Sequence, residues 1–278
     1  MASLQELRKR LKSIRSTGQL AGAMRTAATA KYSRLGAVRG DFLAYAKGCQ
    51  DMLRLLGGSG ISREGTEVAP RDCVVVMSGN RGLCGGFNAE LNRFLDERLP
   101  ELREPMLLVC GKKAAIYLRE RGMDFEEFPV SDVPVYEELK PVSDRLRALY
   151  AEGKAERVLV VYQSFHNMLL QVPALRQLLP EPEGEDDTGA GELPTLCLPD
   201  RETIAAYLAV KCLDVQVFDL ALETAVGAQA ATMMAMRSAC DNAEASAADL
   251  EITINRRRQA DVTSSVIETA SGNVQQGD

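Results

Sequence analysis

All eleven prolines of this chain fall between Pro70 and Pro199, and neither flank contains one. Proline deletes a backbone donor and clashes with the preceding helical turn. Long stretches without it, rich in Ala, Leu, Met, Arg, Lys, Gln and Glu, therefore permit unbroken helix. The sequence divides into an N-terminal helix over residues 1–60, a compact middle over 61–199 and a C-terminal helix over 200–278. That layout suggests a rod with a head, suited to mechanical or assembly work.

The first flank carries a sustained heptad. One row reads Leu7, Ile14, Ala21, Ala28, Leu35, Phe42, Cys49 and Leu56, every member apolar or a thiol. The other reads Leu4, Leu11, Gly18, Arg25, Tyr32, Arg39, Ala46 and Leu53, with two charged members. Seven-residue spacing sustained this far favours a left-handed supercoil with a partner helix. Gly18, Ala21, Gly22, Ala27 and Ala28 allow close backbone approach, but each glycine costs roughly 1 kcal/mol of helix propensity, so the helix needs its partner. Gly57-Gly58-Ser59-Gly60 ends it, and a polar linker runs to Pro70.

The last flank answers it. Ala205, Leu208, Cys212, Val215, Asp219, Leu222, Val226, Gln229, Met233, Met236, Cys240, Ala243, Ala247, Leu250 and Ile254 follow alternating steps of three and four. Only Asp219 and Gln229 break the seam, which then fails at Arg257 and Asp261. Asp200 is placed to cap the start. Two such helices at opposite ends of one chain most simply pair antiparallel.

The middle alternates between strand and helix. Cys73–Met77, Met106–Cys110, Phe125–Phe128 and Arg157–Tyr162 read as strands, with further strands at Met168–Val172 and Thr195–Leu198. Helices are predicted over Phe87–Leu99, Lys112–Arg121 and Tyr136–Ala151, and Glu181–Glu192 reads as a solvated acidic loop. Alternation with short connections predicts a parallel or mostly parallel, Rossmann-like α/β sheet between the arms of the antiparallel coiled coil.

Chemical motifs are sparse. Ser78-Gly-Asn-Arg-Gly-Leu-Cys-Gly-Gly86 follows a strand and precedes a helix, where phosphate loops sit, yet it matches neither GxGxxG nor GxxxxGK[ST]. A structural turn is the better reading. His166 is the only histidine, with Ser164 nearby and no evident acidic orienter, so it reads as a loop histidine rather than part of a triad. One histidine and seven cysteines without a CxxC pair give no metal site and point to reduced, buried thiols. No catalytic residue, metal or cofactor is expected. No stretch reaches the ~20 apolar residues of a membrane span, and the N-terminus lacks a signal-peptide core, so the expected location is cytoplasmic.

Charge distribution says more than the net −6, which argues against a general nucleic-acid binder. Residues 1–40 carry Arg8, Lys9, Arg10, Lys12, Arg15, Arg25, Lys31, Arg34 and Arg39 against Glu6 alone. These form either a solvated face or an electrostatic track facing acidic groups on a surrounding partner. Arg256-Arg257-Arg258-Gln259, where the heptad fails, fits a solvated helix end and a helix enclosed by other chains equally well.

Leu4–Leu35, with its Ala23-Met-Arg-Thr-Ala-Ala-Thr-Ala-Lys31 segment, resembles the opening helix of the γ subunit of F-type ATP synthase. The Ser78–Asn88 segment closely resembles that family's SxDRGLCGGxN turn. Gln171–Pro180, Ala230–Asn242, Asn255–Ala260 and Thr263 fit it in order, so the likeness spans almost the whole chain. It implies a central-stalk rotor whose coiled coil runs through a hexamer of α and β subunits and whose head sits beside ε on a membrane ring of c subunits. Such a chain binds no nucleotide itself. The likeness carries over Arg258 and Gln259 as contacts to a catch loop of the hexamer. It carries over Arg8, Lys9, Lys12 and Arg25 as groups facing acidic segments of the β subunit, and Lys211 and Asp214 as residues near the foot that meets ε and the c ring. The family's usual Lys, Met and Tyr are replaced here by Gly22, Thr26 and Ile254. The rival reading is an enzyme with a dinucleotide-binding head and helical dimerisation arms.

Overall fold

The computed structural model describes residues 3–56, 61, 69–181, 198 and 200–274, with side chains to residue 267. Its elements are α1 (Leu4–Leu55), β1 (Asp72–Met77), α2 (Phe87–Arg98), β2 (Met106–Cys110), α3 (Lys112–Glu120), β3 (Phe125–Phe128), α4 (Tyr136–Ala151), β4 (Arg157–Phe165), β5 (Gln171–Leu179) and α5 (Arg201–Val274). Two compact units emerge, and each contains part of both long helices. One runs from Ala28 to Met234; the other joins the residues up to Ala27 with those from Ala235 onward.

The larger unit is built on a five-stranded sheet in the order β3-β2-β1-β4-β5. β1 pairs in parallel with both β2 and β4, and β2 pairs in parallel with β3. Every residue of β1 is buried, as expected for a β-branched run covered on both faces. Alternate side chains serve the two faces. Val74, Val76, Leu107, Val109, Leu159 and Val161 pack with Leu91 and Leu95 of α2 and Leu118 of α3. Cys73, Val75, Met77, Leu108, Val158 and Val160 meet Leu139, Val142 and Leu146 of α4, Leu35 of α1 and Leu213, Val217 and Leu220 of α5. The long helices thus form part of one layer of the α/β core, beyond simply pairing with each other.

β5 corrects the sequence expectation. The strand starts at Gln171 rather than Met168 and runs antiparallel to β4, with Pro173 opposite Gln163. Met168–Leu170 lies in the connecting turn because the Asn167 side-chain oxygen accepts the N–H groups of Leu169 (2.9 Å) and Leu170 (3.0 Å). Proline within a strand argues against a central position, and β5 is an edge strand, where it is tolerated. The strand expected at Thr195–Leu198 and the acidic loop at Glu181–Glu192 lie, apart from Leu198 and Glu181, outside the described residues.

Within this unit α1 and α5 pair closely. Phe42 and Phe218 meet edge to face with ring centroids 4.9 Å apart. Cys49, Leu53, Ala209 and Cys212 form a separate buried cluster. Asp200 caps α5 as expected, accepting the Thr203 N–H at 2.8 Å.

The smaller unit shows the chain direction directly. Arg15 pairs with Glu251, a Cβ on Gly18 would lie 3.1 Å from that of Ala243, and one on Gly22 would lie 3.9 Å from the Cys240 sulfur. Numbers rise on α1 as they fall on α5, so the helices are antiparallel. The small residues do what their spacing suggested: Cys240 Sγ donates to the Gly18 carbonyl at 3.5 Å, a contact that needs close backbones. Ser3 and Glu6 close a capping box at the start of α1, with N–H to side-chain bonds of 2.7 and 3.2 Å.

Candidate functional site

In a doubly wound sheet, ligands bind outside the carboxyl ends of the strands where the strand order reverses. Here that point lies between β1 and β4, beside the glycine-rich turn. The turn spends its polar groups on its own chain. The first three N–H groups of α3 are taken: Lys112 by Asn80 Oδ1 (3.1 Å), Lys113 by the Gly79 carbonyl (3.1 Å) and Ala114 by Ser78 Oγ (2.9 Å). Asn88 accepts the Gly79 N–H at 2.9 Å and donates to the Arg81 carbonyl at 3.1 Å. Gly111, at φ +115°, lies so close that a Cβ there would sit 2.2 Å from the Ser78 carbonyl oxygen.

Beside the turn, α5 packs closely against the start of α2. A Cβ on Gly227 would lie 3.1 Å from the Phe87 ring, and Gln163 Nε2 donates to the Phe87 carbonyl at 2.6 Å. A phosphate at the start of α3 would have to displace the bonds made there. Arg81 and Lys31 of α1 both reach Asp132, at 2.6 and 2.7 Å, so the turn is also pinned to the first helix. Burial would raise the Asp132 pKa, but the bond from Lys31 and the two nearby cations hold it below the usual carboxylate range. Among the described residues no group of three or more His, Cys, Asp or Glu side chains is placed to hold a metal.

The other candidate residues fall into two sets. Arg8, Lys9, Lys12 and Arg25 on α1, and Arg258 and Gln259 on α5, belong to the smaller unit and are all exposed. The seam of α5 is buried or half-buried up to Ile254, and every residue from Asn255 to Ile267 is exposed. The apolar Val262, Val266 and Ile267 are among them, at 58%, 63% and 59% exposure. Arg257 and Asp261, where the heptad breaks, form an i,i+4 ion pair at 3.4 Å.

Lys211 and Asp214 belong to the larger unit, one helical turn apart, and differ in kind. Asp214 is buried, at 3% exposure. It accepts bonds from Ser143 Oγ (2.7 Å), Tyr136 Oη (2.9 Å) and Lys140 Nζ (3.0 Å). Burial alone would raise its pKa, and these three donors together hold it below the ordinary value. Burial, followed by the bond to Asp214, pushes Tyr136 up to about 12. Lys211 is the accessible member: its ammonium donates to Tyr136 Oη at 3.2 Å and lies 5.4 Å from the ring centroid. Asp214 therefore orients Tyr136, which positions Lys211.

Sequence reasoning missed this hub, because Tyr136, Lys140 and Ser143 come to Asp214 from a distant helix. It also missed the partners of Arg39, although Arg39 and Asp219 were both visible as charges interrupting otherwise apolar rows.

The fold defines a class: an α/β sheet unit whose first and last helices run antiparallel and pack on one face of its sheet. The profile described as ATP synthase matches residues 3–274. The ATP synthase gamma chain of Rubrobacter xylanophilus is 29% identical over 98% of both chains. Those of Rhodopirellula baltica and Desulforamulus reducens are each 30% identical, again over 98% of both chains. The chain belongs to the ATP synthase gamma chain family.

Solved structures agree on the fold. A chain of the Euglena gracilis mitochondrial ATP synthase superposes with a TM-score of 0.69 at 18% identity, covering 98% of this chain and 94% of that one. A chain of the rotor of the same complex gives 0.64 at 18% identity, with 93% and 98% covered. Nothing in the relatives or the geometry favours a dinucleotide-binding enzyme. No helix among the described residues is long and apolar enough to cross a membrane.

Proposed function

We propose that this chain is the central-stalk rotor of a bacterial F-type ATP synthase, held peripherally at the cytoplasmic face of the cell membrane. In this reading the antiparallel helices enter a hexamer of α and β subunits, and the sheet-bearing part sits with ε on the c ring. Rotation driven by ion flow presents different faces of the shaft to the three catalytic sites. Each orientation favours a different conformation through differential contacts, which is how a chain without chemistry of its own can drive ATP synthesis.

The observation that carries the reading is the state of α5 past Ile254. Among the described residues, every position of the helix from Asn255 to Ile267 is exposed, so little burial within the chain stabilises it. Enclosure by other subunits would supply the missing contacts. Arg258 and Gln259 are then the groups that reach a loop of the hexamer. Arg8, Lys9, Lys12 and Arg25 offer positive charge to acidic segments of the β subunit. Lys211, backed by Tyr136 and Asp214, offers a cation toward ε and the c ring.

Purification of the chain with and without α and β subunits tests the assignment. Stoichiometric co-purification with the hexamer and no ATP binding by the chain alone are expected. Nucleotide binding by the isolated chain, with no hexamer association, would refute it. In the assembled complex Arg258→Ala should lower coupled ATPase activity by about tenfold, the loss typical of one charged contact, while leaving the chain's melting temperature unchanged. Full activity would remove Arg258 from the contact.

A further inference from the structure

Each long helix carries a charge in its apolar seam within the larger unit, and the two charges find each other. Arg39 Nε donates to Asp219 Oδ1 at 3.1 Å, and its Nη2 donates to Glu223 Oε2 at 2.9 Å. The side chains are only 20%, 15% and 10% exposed, so this is an interior joint. Glu223 is shared further. Its other oxygen, Oε1, accepts the Phe165 N–H at 2.8 Å and the Ser164 hydroxyl at 3.1 Å, both at the end of β4. One guanidinium therefore ties α1 to two successive turns of α5, and one carboxylate ties α5 to the sheet.

Apolar seams select which faces of two helices meet, but burial itself is non-directional and specifies the register less sharply than a hydrogen bond does. Charge-assisted bonds from a planar fork are directional and allow few geometries. A buried ionic cluster is weak evidence for stability, and fixing register is its better-supported use. Arg39, Asp219 and Glu223 together bring α1, α5 and the end of β4 to one point through directional bonds.

We infer that the Arg39–Asp219–Glu223 cluster is the torque joint of the rotor, holding the axial register and rotational phase of α1 and α5 against the end of β4. The inference rests on the rotor reading and adds the residues that transmit the turning force. Arg39 is thus a positioning residue for coupling and touches neither nucleotide nor the transported ion.

The test uses membrane vesicles carrying the complete ATP synthase, measuring ATP-driven proton uptake against ATP hydrolysis. If the native chain does not co-purify with α and β subunits, the rotor reading fails before the joint is tested. Given assembly, Arg39→Met should keep hydrolysis within about twofold while the uptake-to-hydrolysis ratio falls about three- to tenfold. Arg39→Lys, which keeps the charge but loses the fork, should recover part of the ratio. An unchanged ratio in assembled Arg39→Met complexes overturns the joint, as does a proportional fall of both activities, which marks a structural role alone. Should Arg39→Met fail to assemble, Asp219→Asn removes only one arm and should lower the ratio about twofold. An unchanged ratio there equally overturns the inference.

Discussion

Two stretches of α5 present the same backbone in opposite surroundings. From Cys212 to Ala230 the helix is buried or half-buried at every position, packed on α1, on α4 and on the sheet. From Asn255 to Ile267 it is exposed at every position. The first stretch is specified by its own chain: Val217, Leu220 and Leu222 lie in the main core, and Asp214 and Glu223 are saturated with donors. The second has a helical backbone whose described side chains are all exposed, whereas helices in water draw most of their stability from packing against other elements. One helix thus combines a part that holds the α/β unit together with a part that its described neighbours leave exposed.

Paired truncations give the largest expected effect. Leu222→Ala empties a fully buried site and should cost about 2–5 kcal/mol in urea denaturation of the isolated chain. Val266→Ala, at 63% exposure, should stay within about 0.5 kcal/mol in the same experiment. Equal costs would show that the two stretches are not different in kind.

Asp214→Asn comes next. Its carboxylate is held below the usual range by Ser143, Lys140 and Tyr136 against the opposing effect of burial. A depressed folded pKa contributes stability above the unfolded value, near 4, and that contribution is lost as pH falls through the folded value. The variant should therefore be about 2 kcal/mol less stable at pH 7, with the gap narrowing below about pH 4. A gap independent of pH would mean that the lost packing, and not the charge, is what matters.

Thiol labelling gives the smallest effect and the finest resolution. Cys212 is buried, and burial pushes its pKa up to about 12, whereas Cys240 is half-exposed. Cys240 should react with a thiol reagent at pH 8 while Cys212 waits for denaturant. Simultaneous labelling would show that the buried stretch opens locally.

Much of this contrast was legible in the residues. The heptad rows located both seams, and the failure at Arg257 marked where burial ends. The alternation of β-branched runs with helical segments placed β1 to β4. What was hidden is non-local. Asp214 meets Tyr136, Lys140 and Ser143 across more than seventy positions, and no spacing rule links them. β5 was displaced because Asn167 turns the chain where apolar residues suggested strand, while Pro173 masked a strand that an edge position permits. The compact units cross the long helices because α1 and α5 join the sheet's core through Leu35 and Leu220, a packing choice that periodicity alone does not encode.

The most direct test of the account is amide hydrogen exchange along α5, measured in the isolated chain and in its complex with α and β subunits. Amides from 255 to 267 should exchange fast in isolation and become strongly protected on assembly, while those from 212 to 230 should be slow in both states. Unprotected exchange from 255 to 267 in the assembled complex would contradict the claim that this end of the helix is enclosed by the hexamer.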